Sequence, residues 1–112
     1  MAIEHAQAGD VIDIRPLAEK LPESRTHTLL KTEHVEVLRL VLPAGKTLAE
    51  HKAPSDITVQ CLEGEVKFTS PIGTKALHAG EMLYLNAAEP HAVEAISNAS
   101  LLVTILLRSK AD

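Results

Sequence analysis

The sequence predicts an all-β domain of short antiparallel strands arranged as a sandwich or barrel. Three observations carry this. Gly, Pro and Asn punctuate the chain at short intervals, the segments between them are rich in Val, Ile, Leu and Thr, and two segments are apolar on both faces. The chain has 112 residues, enough for one domain. Residues 1–34 are expected to supply strands and a turn that pack on a barrel formed by residues 35–112, one domain overall.

Nine strands follow in order. Residues 11–14 (VIDI) read as a first short strand. Residues 16–21 make one helical turn, stopped by Pro22. Residues 26–32 and 34–42 are strand-forming, and Pro43, Ala44 and Gly45 end the second of them. Residues 56–62 and 65–70 flank Glu63-Gly64, which reads as a two-residue hairpin turn because Gly adopts positive φ at little cost. Residues 71–73 turn the chain again, and residues 75–78, 81–85, 92–96 and 101–107 complete the set. The runs HVEVLRLVL and LLVTILL are apolar at both parities, so both of their faces need cover. One face is the interior. The other is expected to meet a second copy of the chain in a homodimer, with residues 1–31 as the alternative cover.

Composition excludes several functions. Hydrophobic residues are 46% and charged residues 23%, which fits a packed core rather than a disordered chain. Phe68 and Tyr84 are the only aromatics, too few for a base-stacking platform. A net charge of −4 disfavours a phosphate-binding surface, so no nucleic-acid partner is expected. Cys61 is the lone cysteine; it excludes an intrachain disulfide and a cysteine zinc cage, and suits a reducing cytoplasm. The longest apolar run, residues 101–107, is far short of the ~20 residues of a spanning helix, and the first ten residues lack the basic, apolar pattern of a signal peptide. No membrane partner is expected.

Two blocks stand apart. Gly45, His51 and Gly64 form one; Gly80 and His91 form the other, and each has a His at the mouth of a strand. Together they resemble the paired motifs of the cupin superfamily, G-x5-H-x-H-x3,4-E-x6-G and G-x5-P-x-G-x2-H-x3-N. The resemblance spans about residues 35–107. It implies an antiparallel jelly-roll β-barrel, often dimeric, that brings His51 and His91 side by side. In metal-binding members a second His and a Glu complete the ligand set. Here those positions hold Ala53 and Ile57. In the second motif the Pro, small Gly and final Asn read Asn86, Ala88 and Ala95.

By the resemblance His51 and His91 line the pocket, and parity extends its wall to Ile57, Val59 and Cys61. Tyr84 reads as a half-buried strand residue whose hydroxyl would orient a ligand, Met82 as a core filler. The expected partner is a small molecule, aliphatic or carboxylate rather than one needing aromatic stacking. A divalent ion (iron, manganese, nickel or zinc) on His51 and His91 is the expected cofactor if there is one. Two imidazoles fall short of the usual three or four ligands. Two functions follow: a non-catalytic binding barrel, or a metal-dependent dioxygenase, decarboxylase or isomerase using His51 and His91. A metal-free isomerase with a histidine base is a third form. His5, His27, His34 and His78 read as incidental. Arg39 reads as outward-facing, toward a dimer mate or an anionic ligand.

Overall fold

A computed structural model describes residues 5–107. It contains nine strands: β1 (His27–Lys31), β2 (Val35–Leu42), β3 (Thr47–Lys52), β4 (Ile57–Glu63), β5 (Glu65–Ser70), β6 (Gly73–His78), β7 (Met82–Leu85), β8 (Pro90–Ala95) and β9 (Ala99–Leu106). They form two antiparallel sheets, one ordered β1-β2-β9-β4-β7 and the other β3-β8-β5-β6. Only β1–β2 and β5–β6 are hairpins. Every other connection carries the chain from one sheet to the other. This alternation is the jelly roll, and it places the core between the sheets.

The strand pattern explains that core. In β2 the even positions Leu38, Leu40 and Leu42 face inward. In β4 Ile57, Val59 and Cys61 do so, and in β9 Leu101, Val103 and Ile105. Phe68 and Val66 on β5 and Val93 on β8 close the opposite wall. Burying these aliphatic side chains is the main term holding the sheets together, at about 1.5–3 kcal/mol each.

Three expectations are corrected. Residues 11–14 are not a strand: Val11 is 97% exposed and the segment pairs with no sheet. The strand missed instead is β3, whose TLAEHK reads as polar because only Leu48 is half-buried. The expected helical turn is a 3-10 helix over Ala18–Glu23, and it includes Pro22 rather than stopping before it. Pro22 is the second residue of the closing turn, in which the Ser24 amide donates to the Leu21 carbonyl, and no amide donor is needed at that position.

Glu63-Gly64 is the third correction. It is not a hairpin, because β4 and β5 belong to different sheets. Gly64 has φ +78, the positive value expected, yet it serves a crossover. The local turn chemistry is common to both cases; which strand pairs with which is a long-range outcome.

The N-terminal segment covers part of the outer face of the five-stranded sheet. Leu21 is fully buried there. Arg39 does point outward from β2, but it is only 4% exposed. Its guanidinium donates to the carbonyls of Ile14 and Arg15 at 2.8 and 2.6 Å. The expected mate or anion for Arg39 is thus replaced by the chain's own backbone. Beside it, the Glu63 carboxylate accepts from the amides of Leu17 and Ala18, both at 2.9 Å, and from Ser100 Oγ at 2.6 Å.

Candidate functional site

The site lies where β3 and β8 run side by side at one end of the smaller sheet. His51 and His91 are paired directly in register. Their ring centroids are 4.1 Å apart, edge to face at 65°. A β-bulge sets this up. From Leu48 to His51 is three residues, while their partners Val93 and His91 are two apart. The extra residue on β3 lets both Leu48 and His51 face the interior, which strict alternation forbids. The bulge had no sequence signature beyond the spacing of the motif itself.

His91 is 6% exposed, and Phe68 stacks on it at 5.6 Å with rings 12° from parallel. Burial lowers the pKa of His91 below the usual histidine value, helped by the nearby His51 and only partly offset by the Glu89 carbonyl. It is therefore a neutral imidazole near pH 7. Its Nδ1 donates to the Glu89 carbonyl at 3.1 Å, and His51 Nδ1 donates to the Ala49 carbonyl at 2.9 Å. A carbonyl only accepts, so Nδ1 carries a proton in both rings, and Nε2 of neutral His91 presents a lone pair; the neutral form of His51 would do the same.

The turn leading to His91 is held by backbone geometry. Ala88 has φ +65, a left-handed conformation, at the position where the cupin motif has Gly. Alanine holds it at a cost of about 1–2 kcal/mol. The Ala88 amide donates to the Ala53 carbonyl at 2.9 Å, which ties the β7–β8 turn to the end of β3.

Behind the histidines lies a cavity of about 260 Å³. Ile57 and Val59 line it, together with Val103, Ile105 and Leu38 from the same sheet and Phe68 and Val93 from the other. Besides the two histidines, Lys52 is the one polar residue among the described residues at the cavity, and it is exposed at the mouth.

Two pocket expectations are corrected. Cys61 is buried on the same face as Ile57 and Val59 but does not line the cavity. It lies four residues beyond Ile57 along β4, roughly 13 Å at ~3.3 Å per residue. There its thiol donates to the carbonyls of Glu63 and Gly64. Burial pushes its pKa up, so it stays a thiol, the opposite of a metal ligand's requirement. Tyr84 is 70% exposed. It pairs with Thr58, whose parity is opposite to Ile57 and Val59, so the ring stands on the outer face of the larger sheet. Met82 shares that face and is likewise exposed rather than a core filler.

These residues do not fit the divalent metal carried by metal-binding members of the fold family. Ala53 and Ile57 offer no donor atoms. Two carboxylates that flank the histidine strands in sequence are occupied by backbone amides: Asp56 accepts from Ala87 at 2.9 Å, and Glu89 from Asn86 at 2.7 Å. Among the described residues no group of three or more His, Cys, Asp or Glu is placed to hold an ion. Two nitrogens alone do not fit a metal held by three or four protein ligands.

Two facing sheets joined by repeated crossovers, with a histidine pair at one mouth, define the double-stranded β-helix: the chain has the cupin fold. Solved structures bear this out. A cupin superfamily protein from Desulfitobacterium hafniense DCB-2 matches with a TM-score of 0.75 at 20% identity, over 92% of this chain and 100% of that one. An RmlC-like cupin family protein with a double-stranded β-helix fold from Methanocaldococcus jannaschii gives 0.73 at 19% identity, over 91% and 94%. A protein from Thermus thermophilus gives 0.71 at 27% identity, over 88% and 98%. No family model matches the sequence, and no curated protein does. Among the described residues no helix is long and apolar enough to cross a membrane.

Proposed function

We propose that the protein is a small-molecule-binding cupin that holds its ligand between the sheets, with at most a weak, two-nitrogen metal site at His51 and His91. The observation that carries this is the cavity itself: an aliphatic chamber with its few polar groups gathered at one side. That is the usual build of a ligand site, at a volume just below the usual range of about 300–1,000 Å³. The metal-dependent enzyme is disfavoured because Ala53 and Ile57 replace two of the four family ligands. The lone, reduced Cys61 fits a cytoplasmic setting.

Metal titration tests this. A tight site at a hundredfold excess over Kd adds about 2.7 kcal/mol, roughly 10 °C or more in Tm for a domain of this size. Iron, manganese, nickel and zinc are each expected to raise Tm by under about 2 °C. Stoichiometric metal that survives mild purification and vanishes in His51→Ala and His91→Ala would overturn the reading.

A homodimer belongs to the same proposal. The N-terminal segment covers the part of the larger sheet around Arg39 and Ser100, while Tyr84, Met82 and Leu106 remain exposed on the same outer face. A second copy packed there would cover them, consistent with the two-faced apolar pattern of β9. Light scattering is expected to give a dimer at micromolar concentration and a monomer for the Met82→Lys/Tyr84→Lys double variant.

A further inference from the structure

Three polar features of the cavity wall, read together, narrow its ligand. We infer that the cavity binds a short aliphatic monocarboxylate carrying a hydrogen-bond donor, a hydroxyl or an amine, on the carbon next to the carboxylate. This rests on the small-molecule reading above and specifies its ligand.

Size comes first. At about 260 Å³ the cavity falls just below the usual range for drug-sized ligands, so its occupant is small, on the order of ten heavy atoms. That is a six-carbon hydroxy or amino acid, not a lipid or a nucleotide. The tail region is aliphatic on the larger-sheet side, with Leu38, Ile57, Val59, Val103 and Ile105. Phe68 is the one aromatic in the wall, and it is already stacked on His91. A flat ring therefore finds no free stacking partner, and a branched alkyl group fits better.

Charge comes second. Among the described residues at the cavity, Lys52 is the one formally charged residue; it is exposed at the mouth, next to His51, and makes no ion pair with them. An anionic head complements it, and a cationic head would be repelled. The Lys52 stem is long enough for the ammonium to reach a head group at the mouth.

The histidines supply the third constraint. Both Nδ1 protons are committed to backbone carbonyls, and neither Nε2 has a partner among the described residues. The pair therefore offers acceptors. A bare carboxylate would set its own lone pairs against these and leave them unsatisfied. A hydroxyl or amine beside the carboxylate donates to them while the carboxylate meets Lys52. Dropping that donor leaves the acceptors unpaired under the ligand that covers them, which is the costly case.

The test uses 13C-methyl NMR on the full chain, following the Ile57, Val59, Val103 and Ile105 methyls. Five probes share one branched tail: 2-hydroxy-4-methylpentanoate, leucine, 4-methylpentanoate, 4-methylpentan-1-ol and 3-methylbutylamine. At least one of the first two is expected to bind tenfold or more tighter than 4-methylpentanoate, and the simple amine not at all. Their relative affinity says whether the donor is hydroxyl or amine. Lys52→Met, at an exposed position, is expected to weaken the acids about tenfold and leave the alcohol unchanged. His91→Leu is expected to abolish the advantage of the hydroxy or amino acid over the plain acid; His51→Leu, at a more exposed ring, gives the same readout if His91→Leu fails to fold. If the alcohol binds but the acids gain nothing over it, or the plain acid matches its substituted forms, the ligand class is wrong and the binding site stands. If no probe shifts any cavity methyl, both fall.

Discussion

Gly64→Ala is expected to lose at least ~4 kcal/mol of stability, enough to leave much of the protein unfolded or insoluble at 37 °C. Two effects combine. Gly64 has φ +78, which an L side chain rarely adopts. A Cβ there would also run into the backbone of the β8–β9 connection, well inside contact distance of the Asn98 carbonyl oxygen and 2.8 Å from Ala99 Cα. Those atoms are backbone, so they cannot swing aside as a side chain would. Ala99, which starts β9, is itself fully buried, so the sheet would have to shift with it. Gly45→Ala is the control. Gly45 has φ +88 but nothing within 4 Å of its would-be Cβ. It should cost only the conformational penalty, about 1–2 kcal/mol. Thermal or urea unfolding of the two variants side by side separates strain from collision; similar losses in both would show that the close approach contributes little.

Glu63→Ala is expected to cost about 3 kcal/mol and to free the N-terminal segment. The carboxylate takes three hydrogen bonds, from Leu17 N, Ala18 N and Ser100 Oγ. Bonds to a charged acceptor are worth about 1.5–3 kcal/mol each, less where water can substitute, as it can at exposed Ala18. Its removal also leaves buried Arg39 without the opposing charge nearby. Desolvation works to raise the Glu63 pKa, but the bonds from Ser100, Leu17 and Ala18, with the field of Arg39, outweigh it and hold it below 4.5. A carboxylate with a depressed folded pKa gives its full stabilisation above the unfolded value. That stabilisation fades as pH falls through the folded value. The wild-type advantage over Glu63→Ala should thus be constant from pH 6 to 8 and shrink below about pH 4.5. Limited proteolysis within residues 14–23 should become rapid in the variant. An advantage independent of pH down to 3 would mean that the charge plays no part.

Much of this was legible in the sequence, for identifiable reasons. Strand-forming runs bounded by Gly and Pro located eight of the nine strands, because burying alternate aliphatic residues dictates both sequence and structure. The His51–His91 pairing followed from the motif spacing and not from any local property of either residue. Failures came where the determinant was non-local. TLAEHK forms β3 because β8 offers it a ladder, not because its residues prefer strand. VIDI has strand-forming residues but no strand to pair with. The alternation of β7 puts Tyr84 and Met82 on one face without saying which; only the pairing of Tyr84 with Thr58 reveals that this face is outside. Cys61 shares the parity of the pocket wall, but parity says nothing about depth along the strand.

The place of β9 has a consequence for how the chain reaches this state. The last of the nine strands lies in the middle of the five-stranded sheet, hydrogen-bonded to β2 on one side and β4 on the other. Until residues 99–106 have been made, β2 and β4 have no common neighbour and the larger sheet exists as two separate pieces. During synthesis the apolar edges of both pieces must wait in the open, and folding should proceed as a late, slow and concerted event limited by loop closure over roughly sixty residues. A chain stalled just before β9 would be the species most at risk of joining a stranger's strand.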